Sequence, residues 1–398
     1  MKKKGAYFFL WALILLGGLE YSFSQGFRNP PEGAASISQA GAFIAQCDDA
    51  SAITHNPAGL VNVEGQQILT GNTFLLPVTS YKSAAFSSDK EFIPGYLPYF
   101  YYSGDLGTQD LRLGIGISSP YGQTIEWSYD SVRHWNYEVP YYSSMRMANF
   151  SPVIAYRITP EFSAGAGLNI YRSQLELNSI RAFPPPFPPG EVKEKIKADG
   201  TAVGGTLGLL YRKEGYSLGL RYKSGFNISH RGTYKIPGLS ISEKASIGIE
   251  FPCIIGAGIA IHPNPDFKVE FDAEWYGYSS LENILVGMAG LGDLEMPKNW
   301  KDSYMLSLGT EFRKSSRLKL RAGAAYITSP VPPSTWEPSI PDADSFVIST
   351  GGEFTTPCGV FDLALGVNIL TTIERGIPYE GKYASRGYFF SLGYKKNF

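Results

Sequence analysis

The stretch Ser385-Arg386-Gly387-Tyr388-Phe389-Phe390-Ser391-Leu392-Gly393-Tyr394-Lys395-Lys396-Asn397-Phe398 closes the chain. On an extended backbone Arg386, Tyr388, Phe390, Leu392, Tyr394, Lys396 and Phe398 share one face, and Gly387, Phe389, Ser391, Gly393, Lys395 and Asn397 share the other. The period of two is a strand signal. Moving outward, 361–369 repeats it, with Phe361, Leu363, Leu365, Val367 and Ile369 opposing Asp362, Ala364, Gly366 and Asn368. In 267–275, Phe267, Val269, Phe271, Ala273 and Trp275 oppose Lys268, Glu270, Asp272 and Glu274. Segments 111–118, 162–171, 216–223 and 318–327 alternate in the same way. A succession of such strands predicts an all-β fold.

A soluble sandwich also alternates. Two features oppose it. Candidates such as 161–180, 216–236 and 266–286 exceed the usual globular strand length. The second face is Gly, Ala and Ser mixed with charges, as a crowded or wet lumen requires. Connection lengths give a stronger test. About 14 strands are expected, at 66–77, 97–104, 109–118, 146–157, 161–180, 198–213, 216–236, 242–262, 266–286, 300–314, 317–329, 343–356, 359–373 and 384–398. Every second connection is short: Asp105–Thr108, Thr159-Pro160, Glu214-Gly215, Pro263–Pro265, Ser315-Ser316 and Pro357-Cys358. The others, 78–96, 119–145, 181–197, 287–299, 330–342 and 374–383, are long, and 237–241 breaks the rule. Long and short connections then lie at opposite ends of the sheet. A transmembrane antiparallel β-barrel has this asymmetry, with long loops outside and short turns in the periplasm. The expected location is therefore the outer membrane of a Gram-negative-type bacterium, with the N- and C-termini both periplasmic.

Composition agrees. Charged residues are 18%, Gly 44, Tyr 26 and Phe 24. That aromatic content excludes a disordered chain. Mean hydropathy of -0.11 opposes a helical membrane protein, because two opposed faces average out. A net charge of -1 gives no reason to expect nucleic acid as a partner.

Residues 1–24 read as a signal peptide. Lys2, Lys3 and Lys4 precede the apolar run 6–19, and Ser22-Phe23-Ser24 supplies small residues at a cleavage site after Ser24. Residues 25–65 lack long alternation, carry Pro30, Pro31 and Pro57, and place a short helix at Ser36–Gln46. Their aliphatic content (Ile37, Phe43, Ile44, Ile53, Leu60) exceeds what a solvated tail needs. A barrel of about 14 strands is wider than side chains alone can fill, so a packed N-terminal hatch inside the lumen is expected, with the barrel proper at 66–398. Cys47, Cys253 and Cys358 are too few and scattered for a disulfide framework. The histidines His55, His134, His230 and His262 show no metal-ligand spacing. No nucleophile or phosphate-loop motif is present, so neither an enzyme nor a cofactor is expected.

Seven short stretches resemble motifs of one family. Gly26-Phe27, Ser38–Ala42, Asp48–Ala52 and Asn56-Pro57-Ala58-Gly59-Leu60 resemble the hatch of the FadL/TodX-like outer-membrane hydrocarbon transporters. Ser118-Ser119-Pro120-Tyr121-Gly122 resembles that family's kinked third strand, and Ser329-Pro330-Val331-Pro332 with Ile340-Pro341-Asp342 resembles a further signature. The resemblance implies that ligands are captured at the outer face, enter the lumen and leave sideways through an opening made by the kink, with the hatch as gate. It places Asn56, Pro57 and Ala58 near the kink formed by Ser119, Pro120 and Gly122, and Gly208 beside the passage. Pro120 lacks a donor and either kinks the strand or ends it. For an acidic ligand, the family's two basic positions fall here on Ser179 and Met296. Arg181 and Lys298, two residues on and therefore facing the same way, are the candidates for head-group binding, with solvated loop charges as the alternative. The ligand implied is a long-chain fatty acid, with uncharged aromatic hydrocarbons or a general diffusion porin as alternatives. The implied partners are outer-membrane lipid, lipopolysaccharide and the barrel-assembly machinery, for a monomer. The loop Phe183–Pro189 is a stiff apolar lip or a spacer.

Overall fold

A computed structural model describes residues 25–105, 107–108, 110–182, 190–289 and 292–398. The signal segment 1–24 and the proline-rich loop Phe183–Pro189 lie outside the described residues. One antiparallel sheet closes into a barrel of fourteen staves. The first four are Gln67–Lys82, Gly95–Gly104, Leu111–Ser118 continued by Gly122–Glu126, and Tyr142–Arg157. The fifth to eighth are Phe162–Ala182, Glu191–Lys213, Tyr216–Lys223 with Phe226–Ile236, and Ile241–Phe251 with Ile254–Asn264. The ninth is Phe267–Tyr276 with Asn283–Met288, and the tenth Gly292–Pro297 with Ser303–Ser315. Leu318–Ile327, Ser345–Thr356, Gly359–Leu370 and Gly381–Asn397 complete the wall. Closure is direct: the first stave pairs with the last from Gln67↔Asn397 to Lys82↔Lys382.

The side-chain period sorts the wall into two faces. In the tenth stave Ser303, Met305, Ser307, Gly309 and Glu311 are buried, while Tyr304, Leu306, Leu308 and Phe312 are exposed. The last stave does the same, with Phe389, Ser391 and Gly393 inward and Tyr388 and Leu392 outward. Exposed Ile154, Leu168, Val203, Leu207, Leu220, Ile255, Ile348 and Leu365 continue the outer apolar face around the barrel. A water-facing monomer does not carry an apolar surface of that extent, whereas hydrocarbon covers it without penalty.

Three expectations need correction. Within segments 181–197 and 287–299, the described residues 191–197 and 292–297 are strand and not loop. Ala182 pairs with Glu191, and Asn283 with Pro297, so these hairpins stand taller than the alternation indicated. The region 119–145 is likewise ordered, holding Gly122–Glu126 and a helix at Tyr129–His134. Finally, the helix expected at Ser36–Gln46 is Ala34–Ser38. It stops because Ala40 and Gly41 adopt positive φ of 52° and 92°, and because the next amides find carboxylates in the wall instead of helical carbonyls.

We call the end with the tight turns and the Gln67/Asn397 pair the base, and the other the rim. Phe398 ends at the base, where its amide donates to Gln66 O. Gln25 does not. It is buried, 1% exposed, with its amide against Asp342 in the connection between the eleventh and twelfth staves, which dips inward from the rim.

Candidate functional site

The wall grips residues 25–63 from the base upward. At the base Arg321 donates to Glu311 (2.8 Å), Asp362 (2.7 Å) and Glu353 (3.0 Å), all buried. Lys395 reaches Glu353 at 3.0 Å, and Lys268 joins Glu311 to Asp48 of the segment. One layer higher, Asp272 accepts from the amides of Phe43 (2.8 Å) and Ile44 (3.0 Å), and Glu270 from those of Ala45 (2.6 Å) and Gln46 (3.0 Å). Four consecutive amides held by two carboxylates form a charge-assisted nest. Glu274 pairs with Arg221 and Arg28. The acids of 267–275, on the face that alternation assigns to a crowded or wet lumen, are thus buried, Glu270 and Asp272 against backbone and Glu274 against arginine.

Asn56-Pro57-Ala58 sits against the fifth and sixth staves. The Asn56 amide donates to Ile44 O (3.0 Å) and Leu209 O (3.1 Å), and its Oδ1 accepts from Ala58 N, capping a short 3₁₀ turn opened by Pro57. The wall must be bare there. A Cβ on Gly208 would lie 2.1 Å from Asn56 Oδ1, and one on Gly165 would lie 2.5 Å from Ala58 N. Gly208 and the tripeptide are brought together. The hydrogen-bond contacts at the kink are made by another piece of the segment.

Those contacts come from Phe27–Asn29. Asn29 Nδ2 donates to Ser119 O (2.9 Å), Asn29 N to Pro120 O (3.0 Å), and Gly122 N to Phe27 O (2.8 Å). Ser119, Pro120 and Gly122 are thus joined through one short piece of the segment. The third stave is interrupted, not ended: Gly122–Glu126 resumes pairing with the fourth stave. The second and third staves pair from Gly104↔Leu113 to Phe100↔Ile117 and no further among the described residues. Above, Glu91 N meets Glu126 O at 2.9 Å. Between these limits lies a window in the wall, where the backbone of Phe27 and Asn29 and the Asn29 side chain satisfy Ser119 O, Pro120 O and Gly122 N in place of a ladder.

The start of the segment is anchored in turn by Asp342. Its carboxylate accepts from Gln25 N (3.2 Å), Gly26 N (2.9 Å) and Ser329 Oγ (3.1 Å). Burial pushes this carboxyl up to about 7, against the pull of those donors. His55, on the segment, has its imidazole drawn down to about 4 by burial, with Nε2 2.7 Å from Glu32 O.

Above Phe27 opens a cavity of about 300 Å³. Its walls include Met145, Leu175, Leu177, Ile196, Ile247, Ile249, Ile284, Val286 and Met296, and Tyr137–Pro140 and Glu337–Ile340 close it from the rim side. Phe27 belongs to an aromatic floor, with Phe27–Trp300 centroids at 5.1 Å, Tyr121–Phe251 at 5.0 Å and Phe226–Phe251 at 4.8 Å. Arg181 and Lys298 both line this cavity, as do Ser179 and Met296. Arg181 pairs with Glu194 at 2.7 Å, and buried Lys298 with Glu337 at 3.0 Å. Sequence reasoning missed Asn29, Asp272, Glu274 and Glu337. Only the run of inward acids at 270–274 carried a signal for them. The cysteines are free, and only Cys47 is buried. Among the described residues no group of His, Cys, Asp and Glu converges as a metal site.

Comparison with known proteins agrees with this geometry. The model of the family described as outer membrane protein transport protein (OMPP1/FadL/TodX) matches residues 21–397. A putative outer membrane protein of Neisseria meningitidis serogroup B is 24% identical over 377 residues, covering 80% of each chain. A long-chain fatty acid transport protein of Escherichia coli O6:H1 is 21% identical, covering 76% of this chain and 77% of its own. Among solved structures, a Pseudomonas aeruginosa FadL homologue superposes with a TM-score of 0.84 at 17% identity, covering 94% of this chain and 100% of that one. The P. putida toluene transporter TodX gives 0.75 at 18% identity, covering 93% and 99%. The chain therefore belongs to the OMPP1/FadL/TodX family of outer-membrane proteins, which transport hydrophobic molecules and are not enzymes.

Proposed function

We propose that a hydrophobic molecule, a long-chain fatty acid first of all, enters the cavity from the rim and passes the aromatic floor as the Phe27–Asn29 piece shifts. It then leaves sideways between the second and third staves. One observation carries this reading. Phe27 is at once part of the cavity floor and, through its carbonyl, a tie on the window at Gly122. Moving one piece of chain therefore joins the two spaces. The sideways route suits the cargo, because each CH₂ exposed to water costs about 0.8 kcal/mol. The convergence of Arg181 and Lys298 on one apolar cavity favours an acidic head group. In this reading the rim faces outward and the base faces the periplasm. Asn56, Pro57, Ala58 and Gly208 seat the gate, lipid and lipopolysaccharide surround a monomer, and assembly machinery inserts it.

A second reading, uncharged aromatic hydrocarbons, is favoured by the acid already paired with each of those two cations. Uptake of labelled oleate and of labelled toluene, in cells lacking their own transporter, separates the two. If neither enters faster than into cells with an empty vector, the transport route is wrong.

A further inference from the structure

We propose that Glu337 is a resident carboxylate that competes with an acid ligand for Lys298, and so sets how far the outer cavity prefers neutral molecules over acids. The proposal rests on the reading of that cavity as the ligand's entry. Lys298 is 3% exposed and Glu337 17%, and their Nζ and Oε1 lie 3.0 Å apart. Oε1 also accepts from Ser339 Oγ at 2.6 Å, which holds the carboxylate in place. The two partners belong to different parts of the molecule. Lys298 follows the first part of the tenth stave, where its amide donates to Glu282 O at 2.7 Å, and Glu337 comes from the inward-dipping connection. Both line the cavity.

An arriving fatty-acid carboxylate meets an ammonium that is already neutralised. Two anions around one buried cation repel, and each has lost its water. The ligand must displace Glu337 or leave its own head group unpaired. A neutral molecule fills the apolar space and leaves the ion pair intact. Arg181, the other candidate, is unlike Lys298. Its side chain is 55% exposed and its pair with Glu194 is screened by water, so that bond exchanges at little cost. Discrimination between acid and neutral ligands therefore sits at the Lys298–Glu337 pair.

The test uses the full mature chain in detergent with two fluorescent probes, a polyene fatty acid and its methyl ester. Glu337→Gln should tighten acid binding by roughly tenfold, the size of one charge-assisted hydrogen bond, with ester binding within about twofold of wild type. Glu337→Ala should shift the acid-to-ester ratio the same way, and adding Lys298→Met to Glu337→Gln should erase the gain. Heat-modifiable migration checks that each barrel is folded. An unchanged ratio in both Glu337 variants, with the ester still bound, overturns the role of Glu337 alone. Failure of both probes to bind any variant overturns the entry cavity itself, and this proposal with it.

Discussion

The inside of this barrel is two environments behind one outer face. Toward the base the inward residues are Arg321, Glu311, Glu353, Asp362, Lys395 and Lys268, joined by ion pairs and tied to Asp48. Toward the rim, in staves that alternate by the same rule, they are Leu175, Leu177, Ile247, Ile249, Ile284 and Val286. Below, each charge has a partner and the N-terminal segment is held by directed bonds. Above, there is open space of about 300 Å³, walled mainly by aliphatic side chains with a few paired polar groups such as Lys298–Glu337. A buried charge left alone is expensive, so the base tolerates only one arrangement, while apolar walls accept cargo of many shapes. Polarity thus divides the barrel into a part held by directed bonds and a part that encloses apolar space.

The sharpest way to break this contrast is Arg321→Met. It leaves buried Asp362 without its cation, while Glu311 and Glu353 keep only their lysines, a loss of about 3–5 kcal/mol. Planar bilayers should then show steady ion conductance where the wild type is silent, and a silent variant would show that the base does not hold the segment. Next is Gly208→Glu. The side chain would enter the place of Asn56 Oδ1, 2.1 Å from the Cβ position, so uptake should fall by about tenfold while heat-modifiable migration is kept. Normal uptake would remove Gly208 from the seat of the tripeptide.

Acidification comes third. The folded pKa of His55, about 4, lies below its ordinary 6.5, so its contribution is complete above pH 6.5 and shrinks as pH falls toward 4. Through His55 alone the segment should lose roughly 2 kcal/mol at pH 5, while Asp342, with its carboxyl raised to about 7, works in the opposite direction over the same range. The check is therefore the wild-type minus His55→Gln difference in proteolysis within 25–65, which should grow as pH falls from 6.5 to 5. Asn56→Ala, which removes two side-chain bonds and a cap, should weaken the seat by about 1–2 kcal/mol and reduce oleate uptake without affecting assembly. The smallest effect belongs to the rim. Ile249→Ser should weaken binding of an alkyl probe by about 1 kcal/mol and leave the bilayer silent. Conductance from that variant would erase the division between the two halves.

How much of this was legible in the sequence follows the same division. Period two in 385–398 and 267–275 reports facing directly, because a β-strand leaves a side chain no third choice. Turn length reports the ends. What alternation does not report is where a stave breaks. Ser224-Gly225, Pro252-Cys253 and 277–282 interrupt the seventh, eighth and ninth staves, yet the pairs on both sides keep the strand pattern. Tall hairpins were missed at 181–197 and 287–299 because charged residues there look like loop while still pairing above the apolar band. Alternation puts Glu270 and Asp272 on the face of a crowded or wet lumen and does not say what they bind. Their partners are backbone amides more than 220 residues away, and amides have no side-chain signature. The tripeptide was noticed, but its seat on bare Gly165 and Gly208 was only half visible.

The window beside Pro120 also has a consequence for energy. Hydrocarbon offers no water to an unpaired amide or carbonyl, and each such group left bare costs several kcal/mol. Asn29 and Phe27 supply the bonds that a neighbouring stave would otherwise make, so this piece of chain serves as a substitute strand. If, as proposed, cargo leaves here, whatever moves the piece aside has to compensate the exposed backbone with its own contacts, so the closed wall would be the default and opening would be coupled to occupancy.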